Sequence, residues 1–351
     1  MTAQRILIAM QDFARGGTEL IAIGLAKDWV EMGREVAILC GSESGGLREM
    51  VDPRVAVTAL GVPRGLLSRL RLAKAMGTAL AARHPDIIFL PGNYHLLLAP
   101  GLRRAVSRVR IALKISNPLV PDAPFARVVF RHFARGVDGF AAMNAGLARE
   151  VTALMPGKTV ATLHDPVYLD SSAASPIRRD GVRNIVWIGR LEPQKDAGLA
   201  LRVMQGMDGA HLTMLGDGSQ RGAIERQIAA MGLTEKVTLV GYAPHIAPYL
   251  AGADVLLITS RYEGGPAVAV EALAHGVPLV STDCSHFLHE IIVTPDAGRI
   301  VASRDPAALA AALSGLGPRR DSLKALAAPF APHLRARAYL DWFDTLVRHD
   351  A

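Results

Sequence analysis

Toward the end of the sequence two carboxylates, Glu263 and Glu271, stand eight residues apart around Gly264-Gly265-Pro266-Ala267-Val268. A turn without side chains that feeds a helix N-terminus is a seat for a phosphate, because unpaired N–H groups and the positive end of the helix dipole meet there. Acids on either side of that seat suit sugar hydroxyls. Upstream, Arg190 and Lys195 stand five apart in Gly189-Arg190-Leu191-Glu192-Pro193-Gln194-Lys195-Asp196. An arginine fork and a lysine point charge in one loop suit a diphosphate. Plainer readings exist: solvated loop cations with Asp196 as a helix cap, an exposed Glu263 and a solvated Glu271. Against the last, Glu271 sits among Val268, Ala269, Val270, Ala272 and Leu273, where an acid needs a partner.

Other loops are less specific. Gly16-Gly17 permits close backbone approach, with Thr18 placed to cap the following helix. It is not the Gly-x-Gly-x-x-Gly of dinucleotide enzymes. Gly216-Asp217-Gly218-Ser219 reads as a tight turn with Ser219 as a cap. Gly241-Tyr242 offers backbone groups and a ring to a base. His95, in Pro91-Gly92-Asn93-Tyr94-His95, reads first as a packed or capping histidine.

Short apolar runs position these loops. They fall at 5–10, 35–40, 55–60, 86–90, 110–115, 138–142 and 158–163, then at 184–188, 210–215, 236–240, 254–258, 278–281 and 298–301. Runs apolar at nearly every position predict parallel strands buried on both faces. Alternation with helical-period segments predicts an α/β chain of two doubly wound, Rossmann-like domains facing across a cleft at the strands' C-terminal ends. The expected boundaries are 1–165 for the first domain, 166–180 for a Pro- and Ser-bearing linker and 181–331 for the second. A helix within 332–351, with Leu334, Ala338, Trp342 and Leu346 on one stripe, is expected to pack back toward the first domain.

Half of the 351 residues are apolar and 20% are charged, which predicts a packed core and argues against extensive disorder. No apolar run reaches the roughly 20 residues that cross a bilayer. The first ten residues read as a strand, not a secretory signal. Cys40 and Cys284 are expected to be buried thiols in a cytoplasmic chain.

The net charge of +7 lies in the first half, where residues 64–149 carry 14 basic and 3 acidic side chains. The clusters are Arg64, Arg69, Arg71 and Lys74; Arg103, Arg104, Arg108 and Arg110; and Arg127, Arg131 and Arg135. Solvated helix faces are one reading. A face against anionic membrane is another, prompted by Leu66-Leu67, Phe130 and Phe133 beside the charges. Nucleic acid is disfavoured, since no recognition motif accompanies the charge.

The combination resembles the retaining GT-B glycosyltransferases marked by Glu, seven residues, Glu (the family 4-like, group 1 type). The likeness spans nearly the whole chain: Gly16-Gly17-x-Glu19, Gly189-Arg190-Leu191 with Gln194-Lys195-Asp196, Gly216-x-Gly218, and Ser260 through Pro278. It implies that Arg190 and Lys195 hold a donor diphosphate, Glu271 the ribose and Glu263 the transferred sugar. Backbone groups near Gly264, Gly265, Ala267 and Val268 complete the phosphate seat, with Gly16, Gly17, Gly189, Gly241 and Tyr242 lining the donor. The implied activity is a metal-independent hexosyltransferase using a UDP- or GDP-sugar as co-substrate, without a cofactor. In that family the departing phosphate takes the acceptor proton on the same face, so no side-chain base is demanded. The implied acceptor is a glycan or glycolipid of polysaccharide or lipopolysaccharide assembly, reached from the cytoplasmic side of the membrane.

One departure stands out. Many relatives carry a His after the strand at 110–115, where this chain has Ser116-Asn117. Asn93, His95, Ser116 and Asn117 are therefore the acceptor and sugar candidates. Two alternatives remain open: a sugar-nucleotide binding protein without transfer activity, and a glycoside hydrolase using Glu263 and Glu271. A nucleotide-sugar epimerase is a weaker third.

Overall fold

Strands apolar on both faces have no side to turn to water, so helices must cover each face of the sheet they form. The computed structural model, which describes residues 2–14, 16–65, 68–80, 83–119, 124–169, 175–317 and 319–348, shows two such sheets. The first contains β1 (Arg5–Met10), β2 (Glu35–Cys40), β3 (Ala56–Ala59), β4 (Ile87–Leu90), β5 (Arg110–Ile115), β6 (Gly139–Ala142) and β7 (Thr159–Thr162). Its order is β3-β2-β1-β4-β5-β6-β7. The second contains β8 (Arg183–Ile188), β9 (Ala210–Leu215), β10 (Val237–Gly241), β11 (Val255–Ile258), β12 (Leu279–Thr282) and β13 (Gly298–Val301), in the order β10-β9-β8-β11-β12-β13. Every pairing is parallel. All the strands expected from apolar runs are present, with ends shifted by at most one residue.

The chain packs as two compact units, Met1–Pro166 with Pro332–Ala351, and Val167–Ala331. Within the expected linker, Asp170 to Ala174 lie outside the described residues, as do Leu66 and Leu67 of the basic region.

The helix Pro332–Arg348 belongs to the first unit. Its Tyr339 and Phe343 rings meet Trp29 and Phe89, with Trp29 and Phe343 centroids 5.2 Å apart, and Trp29 Nε1 donates to Ala336 O at 3.1 Å. The buried stripe is Ala336, Tyr339, Leu340 and Phe343, continuing to Leu346, while Leu334 is exposed. The expected stripe is thus corrected at Leu334 alone, since Ala338 is half-buried against the core. A row spaced by four drifts around a helix of 3.6 residues per turn, so its first member, Leu334, turns to solvent while Ala338, Trp342 and Leu346 pack on the core.

In each sheet the strand order reverses once: β1 lies between β2 and β4, and β8 lies between β9 and β11. Connections leave such a point toward opposite faces, which opens a crevice at the strands' C-terminal ends. The loops after β1, β4, β8 and β11 therefore merit the closest attention.

Candidate functional site

In the second unit the loops after β8 and β11 are laced together. Arg261 N donates to Gln194 O at 2.8 Å, and Gln194 Nε2 donates to Tyr262 O at 3.0 Å. Trp187 Nε1 donates to Thr259 Oγ1 at 2.9 Å, and that hydroxyl reaches the carbonyls of Lys195 and Asp196, each at 2.9 Å. This lacing brings Lys195 Nζ to 2.5 Å from Glu263 Oε1, where Ser260 Oγ also donates at 2.6 Å. Glu263 is buried and Lys195 half-buried, so the pair is largely shielded from water. The turn that follows is fixed by Ser285 Oγ donating to Gly264 O at 2.9 Å and by Glu263 N donating to Cys284 O at 2.7 Å.

The helix Ala267–Ala274 starts directly after this turn, with Pro266 as its N-cap rather than its first helical residue. The first amides of a helix have no intrahelical acceptor, so those of Ala267 and Val268 are available at the positive end of its dipole. Glu271 is half-buried mid-helix, and its carboxylate has no hydrogen-bond or ion-pair partner among the described residues. Burial alone pushes its carboxyl up to about 7. It lines a cavity of about 170 Å³ with Tyr168, Pro244, Ile246 and His275. Tyr242 is exposed in the loop after β10, following Gly241 at φ +87°.

Arg190 is exposed and is not part of the Lys195–Glu263 cluster. The loops after β8 and β9 press backbone on backbone: a Cβ on Gly216, at φ +131°, would lie 1.8 Å from Gly189 O. A Cβ on Gly189 would crowd the Lys195 stem at 3.3 Å. Ser219 does not cap the helix that follows. Its N and Oγ donate to Glu192 at 2.9 and 2.7 Å, which holds Ser219 on the neighbouring loop, and the N-cap is Gln220.

Arg304 lacked any functional signal in the sequence, and Asp196 stood there only as a helix cap and as one residue of the family likeness. Asp196 is the one non-glycine residue with positive φ (45°) among the described residues. It caps the helix Ala197–Gln205 through Leu199 N and binds Arg304 Nη2 at 2.7 Å and Arg261 Nη2 at 3.1 Å. Arg304 also donates to the carbonyls of Thr259 and Ser260, each at 2.8 Å. Only an Asp expected as a cap hinted at this knot, and nothing local marked Arg304.

In the first unit the loop after β1 runs into the helix Gly17–Glu31, whose N-cap is Gly16 with no side-chain cap bond. Thr18 is therefore not the cap. It lies inside the helix and faces the loop after β4, where a Cβ on Gly92 would come within 2.8 Å of its Cγ2. Asn93 ties the loops after β4 and β5: Oδ1 accepts from Ser116 N at 2.8 Å, and Nδ2 donates to Asn117 O at 2.9 Å. Three of the acceptor candidates are thus neighbours. His95 is buried with both ring nitrogens unbonded among the described residues, and burial pushes its imidazole down to about 4, so it is neutral near pH 7. Lys114 is buried and pairs with Asp165 at 2.6 Å.

Much of the basic excess is spent internally. Arg64 binds Asp12, Arg103 binds Asp138 and three carbonyls, and Arg131 Nε donates to Leu154 O. Phe130 faces the core, which corrects its reading as a surface residue. Both cysteines are free and buried.

Two domain families match the sequence: "Glycosyl transferase 4-like domain" over residues 16–164 and "Glycosyl transferases group 1" over residues 182–317. This chain is a glycosyltransferase of that group. Each match covers one of the two units, and their boundaries enclose both clusters described above.

The glycosyltransferase is similar to the lipopolysaccharide core biosynthesis glycosyltransferase LpsE of Rhizobium meliloti, at 24% identity over 76% of each chain. It is 29% identical to the amylovoran biosynthesis glycosyltransferase AmsD of Erwinia amylovora over 42% of its own length, and that match spans about half (47%) of AmsD. The crystal structure of Anabaena HepE in complex with UDP superposes with a TM-score of 0.76 at 17% identity, covering 97% of this chain and 100% of HepE. The fold is GT-B.

Proposed function

We propose that this glycosyltransferase moves a hexose from a nucleoside-diphosphate sugar to a hydroxyl of a glycan or glycolipid acceptor, with retention at the anomeric carbon. The observation that carries this reading is the Lys195–Glu263–Ser260 cluster beside the first amides of Ala267–Ala274, at the order reversal of the second sheet. As the glycosidic bond breaks, negative charge grows on the leaving diphosphate. Lys195, the helix amides and Arg190 stabilise that charge, and fixed cations serve where other enzymes use a divalent ion. Glu263 holds hydroxyls of the sugar, and Glu271 those of the ribose. The leaving phosphate accepts the proton of the attacking hydroxyl on the same face, so no protein base takes part.

UDP is the donor nucleotide favoured here, because HepE was crystallised with it, and relatives named for lipopolysaccharide and amylovoran assembly favour a surface-polysaccharide acceptor. Peripheral contact with anionic membrane from the cytoplasmic side is part of the proposal. It is supported by exposed Val128 on the helix Pro124–Ala134 and by a groove of about 610 Å³ lined by Lys74, Arg104, His132, Leu97 and Phe133. No helix among the described residues is long and apolar enough to cross a membrane.

A panel of UDP-, GDP- and ADP-sugars with product detection tests the reading. A UDP-sugar is expected to yield a transfer product and UDP to raise the melting temperature. A chain indifferent to every nucleotide would leave the hydrolase alternative standing, since hydrolysis makes no use of the loop from Arg190 to Lys195.

A further inference from the structure

Among the described residues of the first unit, Arg48, Arg64 and Arg69 lie over aromatic rings, and of these three Arg69 alone has no carboxylate partner. Arg69, in the first turn of the helix Ser68–Leu80, stacks on Tyr94 with its guanidinium carbon 3.5 Å from the ring centroid. It forms no hydrogen bond or ion pair among the described residues. Arg64 lies farther from the same ring, at 5.6 Å, and its fork is already engaged by Asp12 and, at 3.5 Å, by Glu19. Those two carboxylates are thereby occupied, and burial raises the Glu19 carboxyl from its ordinary range. Arg64 is thus engaged by carboxylates, whereas Arg69 is held only by the ring.

Stacking uses only the flat face of a guanidinium. Its N–H groups lie in the plane and point outward, so a fork remains for a planar or tetrahedral oxyanion, while the ring underneath limits the entropy lost on binding. Tyr94 is itself 39% exposed, so the stack is open to solvent. Behind it the His95 ring stands edge-on to Tyr94, buried and with neither nitrogen bonded. On the other side of Tyr94 in sequence is Asn93, which binds Ser116 and Asn117. An anion at Arg69 would therefore sit at the margin of the segment that holds the acceptor candidates.

We propose that Arg69 stacked on Tyr94 is a recognition subsite for an oxyanion on the acceptor, a phosphate or a sugar-acid carboxylate beside the ring that receives the hexose. This rests on reading the first unit as the one that binds the acceptor. Neutral glycans then bind weakly, and charged ones are selected by the fork.

The test uses glucose 6-phosphate, glucuronate and glucose as probes, titrated calorimetrically into the full chain and its Arg69→Ala, Arg69→Lys and Tyr94→Leu variants. At least one anionic sugar is expected to bind the unaltered protein tenfold or more tightly than glucose. Preference for the phosphate or for the carboxylate identifies which group the fork reads. Arg69→Ala is expected to abolish the preference while leaving glucose affinity as it was. Arg69→Lys should retain part of it as a point charge, and Tyr94→Leu should weaken it. Equal affinity for all three sugars in the unaltered protein overturns the subsite, as does an intact preference in a folded Arg69→Ala. UDP melting shifts on the same samples separate the two ideas. Loss of the UDP response strikes at the donor reading, whereas a normal response with no anion preference strikes at the subsite alone.

Discussion

Lys195 Nζ lies 2.5 Å from Glu263 Oε1, although 68 residues of sequence separate the two. On the proposed function, the ammonium assigned to the diphosphate is aimed in advance by the carboxylate assigned to the sugar. An oxyanion-stabilising donor of this kind contributes about 3–4 kcal/mol in a transition state. Lys195→Ala is therefore expected to lower kcat by about 10²- to 10³-fold. It also leaves a buried carboxylate unpaired, a change that costs about 3–5 kcal/mol in stability. The double variant Lys195→Met with Glu263→Gln should restore the melting temperature without restoring turnover. Near-normal kcat in Lys195→Ala would refute the catalytic role.

Asp196 is held in a left-handed conformation, which costs an L residue roughly 1–2 kcal/mol. It persists because Arg304, Arg261 and the helix N-terminus all bind its carboxylate. Asp196→Gly removes the carboxylate but suits the backbone, whereas Asp196→Ala loses both. The alanine variant should thus be the less stable of the two by about 1 kcal/mol in chemical denaturation. Arg304→Ala strips donors from the Thr259 and Ser260 carbonyls and is expected to cost about 1–3 kcal/mol. Because Ser260 and Lys195 both reach Glu263, turnover should fall further than stability alone explains. Equal stability of the glycine and alanine variants would show that Asp196 is not strained.

The strands were legible because a run such as Ile185-Val186-Trp187 has one low-energy place, the interior of a sheet. Lys195 and Glu263 stood out in the sequence too, but only in separate segments. Their convergence depends on bonds spanning 64 to 108 residues, such as Thr259 to Lys195 and Arg304 to Asp196, and local pattern does not encode such distances. Ser219 and Thr18 show the reverse failure. Each is a good cap by type, yet Ser219 is held by Glu192 and the helix after β1 starts one residue before Thr18, with Gly16 as its cap. Leu334 was misplaced because several rows on one helix are apolar, and only packing selects among them.

Gly216 and Gly222 should respond in opposite senses to alanine. Gly216 has φ +131° and backbone 1.8 Å from a Cβ position, so substitution must push away the loop that carries Arg190. A loss of about 2–4 kcal/mol and a weaker UDP melting shift are expected. Gly222 is exposed within the helix Arg221–Ala230, with nothing closer than 3.6 Å to its Cβ position. There alanine should stabilise by about 0.5–1 kcal/mol. A well-tolerated Gly216→Ala would mean that the loop pair is looser than its geometry indicates.

Glu271 should make donor binding depend on pH near neutrality. Its folded-state carboxyl titrates at about 7, well above the ordinary glutamate value, because burial disfavours the charge and no partner restores it. Between the ordinary range and pH 7 the folded chain binds the extra proton, so this group's contribution to stability declines as pH rises through that window. Donor binding should run the other way, since ribose hydroxyls donate to the ionised form. From pH 6 to pH 8 the ionised fraction grows about tenfold, and affinity for an intact sugar nucleotide should rise by about the same factor. An intact UDP-sugar is the right ligand, because its diphosphate diester does not titrate in this range. His275 lines the same cavity, so Glu271→Gln is the control. It should bind the donor weakly at pH 8 and show no slope. A slope that survives in Glu271→Gln would remove Glu271 from the ribose.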